Sequence, residues 1–189
     1  MRSYFITVIS SIAAVFIIGC GGSKTLQSSL PCDPEWFNNI PSDPNTLFAA
    51  KTETSQDYQL AIDKATLSAR TEIGNQVDLK LTALEKNFKE ETGTGEDAQF
   101  LSMMTQAKKS VLSTSLQGSR VKSVEKCKDG NIWRAYALVE YPLGAAREAY
   151  LQQLKKNEQM YTRFRATQTF KELDEEVKKY DDYKKSQGQ

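Results

Sequence analysis

Ala61, Ala65 and Ala69 stand four residues apart inside a longer run of helical spacing. Apolar residues recur at Tyr58, Ala61 or Ile62, Ala65, Ala69, Ile73, Val77, Leu81, Leu84 and Phe88, which predicts one helix over residues 57–89. A narrow stripe of small side chains lets a helix lie close on a sheet. Thr54-x-x-Asp57 reads as the N-terminal capping signature of that helix. Gly74 interrupts it at a cost of about 1 kcal/mol.

The surface that suits the stripe lies further along the chain. Residues 119–126 and 131–141 read as a hairpin joined through Lys128-Asp129-Gly130, and Asp-Gly is a favoured two-residue turn because both positions need positive φ. In the second strand Trp133, Ala135, Ala137, Val139 and Tyr141 share one face, and Ile132, Tyr136 and Leu138 share the other with Arg134 and Glu140. The first face is the more apolar and its two alanines match the helix stripe, so it is the expected core side. Residues 47–52 (LFAAKT) read as a third, short strand.

Gly93-Thr94-Gly95 breaks the chain after the first helix. Residues 96–116 then read as a second helix, with Phe100, Met104, Ala107 and Val111 on one face. Met103-Met104 reads as core packing, because a soft-metal site needs further methionines or a histidine nearby.

After Pro142 the pattern is helical over residues 143–185. Its stripe runs Leu143, Tyr150, Leu154, Tyr161, Phe164, then Phe170, Leu173, Val177 and Tyr180, with the heptad broken between Phe164 and Phe170. One helix of that length exceeds what a small domain can cover. Residues 143–154 are expected to fold back over the sheet's open face, where Ile132, Tyr136 and Leu138 need a cover. Phe170, Leu173, Val177 and Tyr180 are expected to contact another chain, since an exposed stripe of that kind favours association. The expected fold class is α+β: a small three-stranded antiparallel sheet packed by helices, with a long C-terminal helix.

The first twenty residues bear on location. Arg2, an apolar run over residues 4–18, and Ile17-Ile18-Gly19-Cys20 followed by Gly21-Gly22-Ser23 form a secretory signal of bacterial lipoprotein type. The run is shorter than the roughly 20 residues that span a bilayer. Residues 1–19 are therefore expected to be a signal peptide, and Cys20 the lipidated first residue of the mature chain. Two or more acyl chains would hold it stably in a membrane. Residues 20–30 read as a flexible tether, whose ten small and polar residues after Cys20 reach about 17 Å root-mean-square. Gly21 stands where an inner-membrane lipoprotein carries aspartate, which points to the outer membrane. Residues 31–142 are expected to form the α+β domain and residues 143–189 the terminal helix.

Removing residues 1–19 leaves 24 basic and 24 acidic side chains. That balance argues against a nucleic-acid partner, which needs a clustered basic surface. Histidine is absent, which removes the commonest general base and metal ligand. With Cys20 consumed by lipid, Cys32 and Cys127 remain as the expected disulfide in an oxidising compartment. Two distant cysteines without histidine do not make a metal site. Trp36 and Phe37, in the proline-rich stretch 31–44, read either as a plug at one end of the core or as exposed binding aromatics. Arg70 and Glu72 stand two apart on a helix and cannot share a face, so Arg70 is expected to anchor a loop or strand end.

Two stretches carry a family resemblance. One is Pro34-Glu35-Trp36-Phe37, Pro41, a strand, and Ala61…Ala65…Ala69-Arg70-Thr71-Glu72-Ile73. The other is Leu116-x-Gly118 followed by the hairpin from Cys127 to Val139. Together, over residues 31–142, they resemble the Helicobacter-type membrane-associated lipoprotein family (the Lpp-twenty family). The family's strand usually ends in glycine, whereas this chain reads Phe48-Ala49-Ala50-Lys51. Cys32, Cys127 and the long C-terminal helix are not part of the shared pattern. The resemblance implies a small envelope protein without catalytic residues. The expected function is that of an outer-membrane-anchored lipoprotein with a structural or assembly role through protein–protein contacts, using no cofactor. The alternative is an envelope binding module for a small molecule or glycan, built on Trp36, Phe37 and Trp133.

Overall fold

The computed structural model describes residues 32–93 and 97–186. In chain order its elements are α1 (Glu35–Asn38), β1 (Thr46–Ser55), α2 (Tyr58–Thr92), α3 (Ala98–Gly118), β2 (Arg120–Asp129), β3 (Ile132–Pro142), α4 (Leu143–Lys156), α5 (Glu158–Phe164) and α6 (Gln168–Ser186). The strands form one antiparallel sheet in the order β1-β3-β2. The fold is α+β, with two long helices between the first and second strands and a long helix at the C-terminal end.

The alanine stripe does what its spacing requires. Ala61, Ala65 and Ala69 are fully buried, and the first two meet Ala135 and Ala137 of β3. Small side chains on both surfaces allow the close approach of α2 to the sheet. On its β1 side, α2 is held by Glu72 to Lys51 at 3.1 Å. Gln76 Nε2 also donates to the Phe48 carbonyl at 3.0 Å.

Two turns differ from expectation by one or two residues. Thr54 lies inside β1, paired with Arg134, because the strand runs on to Ser55. Asp57 is itself the cap of α2, its side chain accepting from Leu60 N at 2.8 Å. In the hairpin Asp129 pairs with Ile132, which leaves Gly130-Asn131 as the two-residue turn. Gly130 has φ +62°, the left-handed region that glycine enters without strain. Gly93, at φ +65°, ends α2 in the same way.

The C-terminal region is three helices, not one. Asn157 ends α4 and caps α5, accepting from Met160 N at 3.0 Å. The second break falls between Phe164 and Phe170, where the heptad fails. These turns fold the stripe inward, which corrects two expectations. Phe170, Leu173 and Val177 are buried in their own chain, so they do not present an apolar face to another one. Tyr180 is half-buried, packed on Gly144 of α4. Nor does α4 cover the open face of the sheet. Its first residue is tied to the sheet's end, Leu143 N donating to the Asn45 carbonyl at 2.8 Å. Its apolar face joins the helices.

One core runs across the division expected at residue 142. It links Ala49 and Val139 of the sheet, Ile73, Leu81 and Phe88 of α2, Phe100 and Met104 of α3, and Tyr150, Phe164 and Leu173 of the C-terminal helices. Phe164 is its hub, with ring centroids 4.1 Å from Phe88 and 5.0 Å from Phe100.

Candidate functional site

The segment that enters the domain is fastened to the face of the sheet opposite α2. Paired residues in an antiparallel ladder share a face, so Cys127, opposite Arg134, and Glu125, opposite Tyr136, point the same way. Cys127 forms a disulfide with Cys32, with Cα atoms 6.2 Å apart. Next to it the Tyr136 hydroxyl donates to Asp33 Oδ1. Pro34 is buried, and Trp36 Nε1 donates to Glu125 Oε1 at 2.9 Å. Phe37 stands edge-on to Tyr136, ring centroids 5.0 Å apart. Residues 32–38 therefore form a strap over β2 and β3. It supplies at Tyr136 the cover expected from the C-terminal helix, and Tyr136 is buried on the face opposite the alanines. Burial first, then the Asp33 hydrogen bond, pushes the Tyr136 hydroxyl up to about 12, so it stays a neutral donor at physiological pH.

The sequence-derived candidates fall as follows. Cys20 lies outside the described residues, as do the signal segment and the tether. Trp36 and Phe37 are half-buried plug residues of the strap. Trp133 is on the α2 face, edge-on to Tyr58 at 6.0 Å. The three aromatic rings of the alternative reading thus lie on opposite faces of the sheet and do not converge. Glu72 pairs with β1, while Arg70 carries a buried Nε without a hydrogen-bond partner, so the two residues make no joint site. Met104 is in the core, and Met103 Sδ accepts from Asn157 Nδ2 at 3.1 Å.

Sequence reasoning missed one polar cluster. Glu85 sits at the next i+4 step of the stripe, after Ala61, Ala65, Ala69, Ile73, Val77 and Leu81, and is buried. Lys108 of α3 lies 3.3 Å from Glu85 and 3.3 Å from Asp78. Tyr150 of α4 is fully buried beside it. Glu85 Oε1 and the Tyr150 hydroxyl lack a hydrogen-bond partner in good geometry. Burial raises the Glu85 carboxyl from its ordinary value, although the Lys108 charge opposes it. Burial raises the Tyr150 hydroxyl well above its ordinary value, and the Glu85 charge adds to this. The signal was available: an acid at an inward stripe position needs a partner. The cluster joins three helices.

An open crevice of about 770 Å³ lies at the far end of α2, lined by Glu91, Asp97, Arg163 and Gln168 among others. Its charges are engaged in structure. Glu91 accepts from Gln168 N at 2.7 Å, Thr169 N at 3.0 Å and the Thr169 hydroxyl, which caps α6 from another helix. Asp97 caps α3 through Phe100 N at 3.0 Å and accepts from Arg163 Nη1 at 2.8 Å. Among the described residues no group of three or more cysteines, aspartates or glutamates is placed to hold a metal ion. Among the same residues no helix is long and apolar enough to cross a membrane. No protein-family model, curated protein or solved structure matches this chain.

Proposed function

We propose that the chain is a lipid-anchored lipoprotein of the outer membrane with a structural or assembly role, acting by tethering and protein–protein contact. The observation that carries this reading is the pairing of a Gly19-Cys20 signal with a Cys32–Cys127 disulfide twelve residues on. A structural disulfide belongs to an oxidising compartment, outside the cytoplasm. The resemblance of residues 31–142 to the Lpp-twenty family supports the same location. The strap supports a tethering role, because it joins the segment arriving from Cys20 covalently to the sheet. A protein partner would meet the charged outer side of α6, since its apolar side is turned inward.

The test is Cys20→Ser in the full precursor. The expected result is a chain that is not acylated and is either left unprocessed or, where its signal is removed, lost from the detergent phase. A variant that still matured and remained membrane-held would overturn the reading.

A further inference from the structure

β1 and β2 are the two edges of the sheet, and the sequence protects only one of them. A bare edge pairs with other strands unless charge or a bulge blocks it. β2 has both devices. Arg120, Lys122, Lys126 and Lys128 stand within its ten residues, and its register shifts between Val121 and Ser123. β1 has neither. Its ten residues hold one lysine and no proline, and they pair with β3 without a shift from Thr46 to Ser55.

Antiparallel strands turn alternate residues toward each neighbour. Two contacts show which residues of β1 face outward. Thr46 N donates to the Asp43 carbonyl at 3.4 Å, outside the ladder with β3, and the Phe48 carbonyl accepts from Gln76 at 3.0 Å. The even-numbered residues of β1 therefore point their N–H and C=O groups away from β3. Those of Ala50, Thr52 and Thr54 have no hydrogen-bond partner outside the sheet among the described residues.

We infer that this edge pairs antiparallel with β1 of a second copy of the chain, about a two-fold axis at Thr52. The charges of the strand select both occupant and register. Lys51 and Glu53 flank Thr52 and share the face of Ala137 and Ala135, their partners on β3. With the axis at Thr52, each Lys51 lies opposite Glu53 of the second copy, so the strand is its own charge complement. An axis one residue either way would set lysine against lysine or glutamate against glutamate, which is destabilising. The same register sets Thr52 opposite Thr52 and Ala50 opposite Thr54, so that the open N–H and C=O groups meet. The helices fit this arrangement. α2 lies over both β1 and β3, so its two copies would run about two strand spacings apart, roughly 10 Å, the distance of packed helices. The row that α2 turns to this edge is polar: Ser68 donates to Glu53 at 2.8 Å and Glu72 meets Lys51 at 3.1 Å.

The inference stands apart from the lipid anchor, because the sheet edge alone carries it. The test uses the mature full-length chain, in detergent where it is acylated. Sedimentation equilibrium is expected to give a dimer that dissociates on dilution. An equal mixture of ordinary and heavy-isotope chains, treated with a zero-length carbodiimide, should give Lys51–Glu53 links of mixed isotope, which only two chains can make. Glu53→Lys sets lysine opposite lysine twice in each dimer and should weaken association by about tenfold, and adding Lys51→Glu should restore most of it. Thr52→Pro removes an outward N–H that the ladder with β3 does not use, so it should keep the parent's circular dichroism and be monomeric. A parent chain that stayed monomeric at millimolar concentration would overturn the inference. So would a dimer without mixed Lys51–Glu53 links, or one whose affinity the double charge exchange did not restore. If Thr52→Pro fails to fold, the charge exchange decides alone.

Discussion

Gly144 shows how one missing methyl group shapes the packing of two helices. A Cβ built there would lie 2.2 Å from Tyr180 Cγ and 2.8 Å from Tyr180 Cβ, and rotation of the ring leaves the Cβ contact in place. Gly144→Ala is therefore expected to destabilise by about 1–3 kcal/mol, and to cost less in a Tyr180→Ala background, where the Cγ and Cδ2 contacts are gone. Urea unfolding of the two single variants and the double variant measures that coupling. Glu85 gives a pH-dependent counterpart. Its carboxyl is raised in the folded chain, so between the ordinary and the raised value the folded state binds more protons than the unfolded state. The stability from this site is present below the ordinary carboxylate value and is lost as pH rises through the raised one. Glu85→Gln should remove this dependence. The wild-type chain is expected to gain relative to the variant as pH falls through the raised value toward the ordinary carboxylate value. A wild-type-minus-variant difference that stayed flat or shrank on acidification would contradict the assignment.

At the scale of elements, α6 is the piece whose role differs most from its sequence pattern. Its lysines and acids are exposed, while Phe170, Leu173 and Val177 close the core. Each such side chain contributes about 1.5–3 kcal/mol on burial, so the three together approach a typical domain's whole stability. Truncation after Arg165 is expected to abolish the cooperative unfolding transition seen by near-ultraviolet circular dichroism. A truncated chain that melted like the parent, with only a smaller sedimenting mass, would restore α6 to the role of a docking arm. The heptad break at Phe164–Phe170 made the interruption legible. It did not show the direction in which the chain turned, because that depends on Phe88, Phe100 and Phe164 meeting from three helices.

At the scale of the molecule, the Cys32–Cys127 bond closes a loop of 95 residues that contains most of the domain. In the chain-entropy account a loop of that size stabilises by about 4–5 kcal/mol. Cys127→Ser is expected to lower the melting temperature by roughly 8–20 °C, and reduction of the parent to do the same. Thiol titration of the unfolded, unreduced protein should find neither Cys32 nor Cys127 reactive. Two reactive thiols from this pair would remove the strap's covalent hold.

The periodicities of the chain alone determined the sheet, its α2-facing side and the main helices. Alternation and i+4 spacing are local properties that each element carries by itself: Ala61, Ala65 and Ala69 announced a close partner, and Ala135 and Ala137 answered it. The cysteine count offered Cys32 and Cys127 as a pair, and the structure bonds them. Tertiary structure decided what covers each surface. The open face at Tyr136 received the N-terminal strap and not a C-terminal helix, because Cys32 is bonded there and Phe37 fits the ring edge. Trp133 was parted from Trp36 by the thickness of the sheet. Glu85 was placed against Lys108 and Tyr150 by the packing of three helices, and α6 turned inward because its aliphatic stripe had a core to join. Such outcomes depend on contacts between distant segments, and no local pattern encodes which of two apolar surfaces will meet.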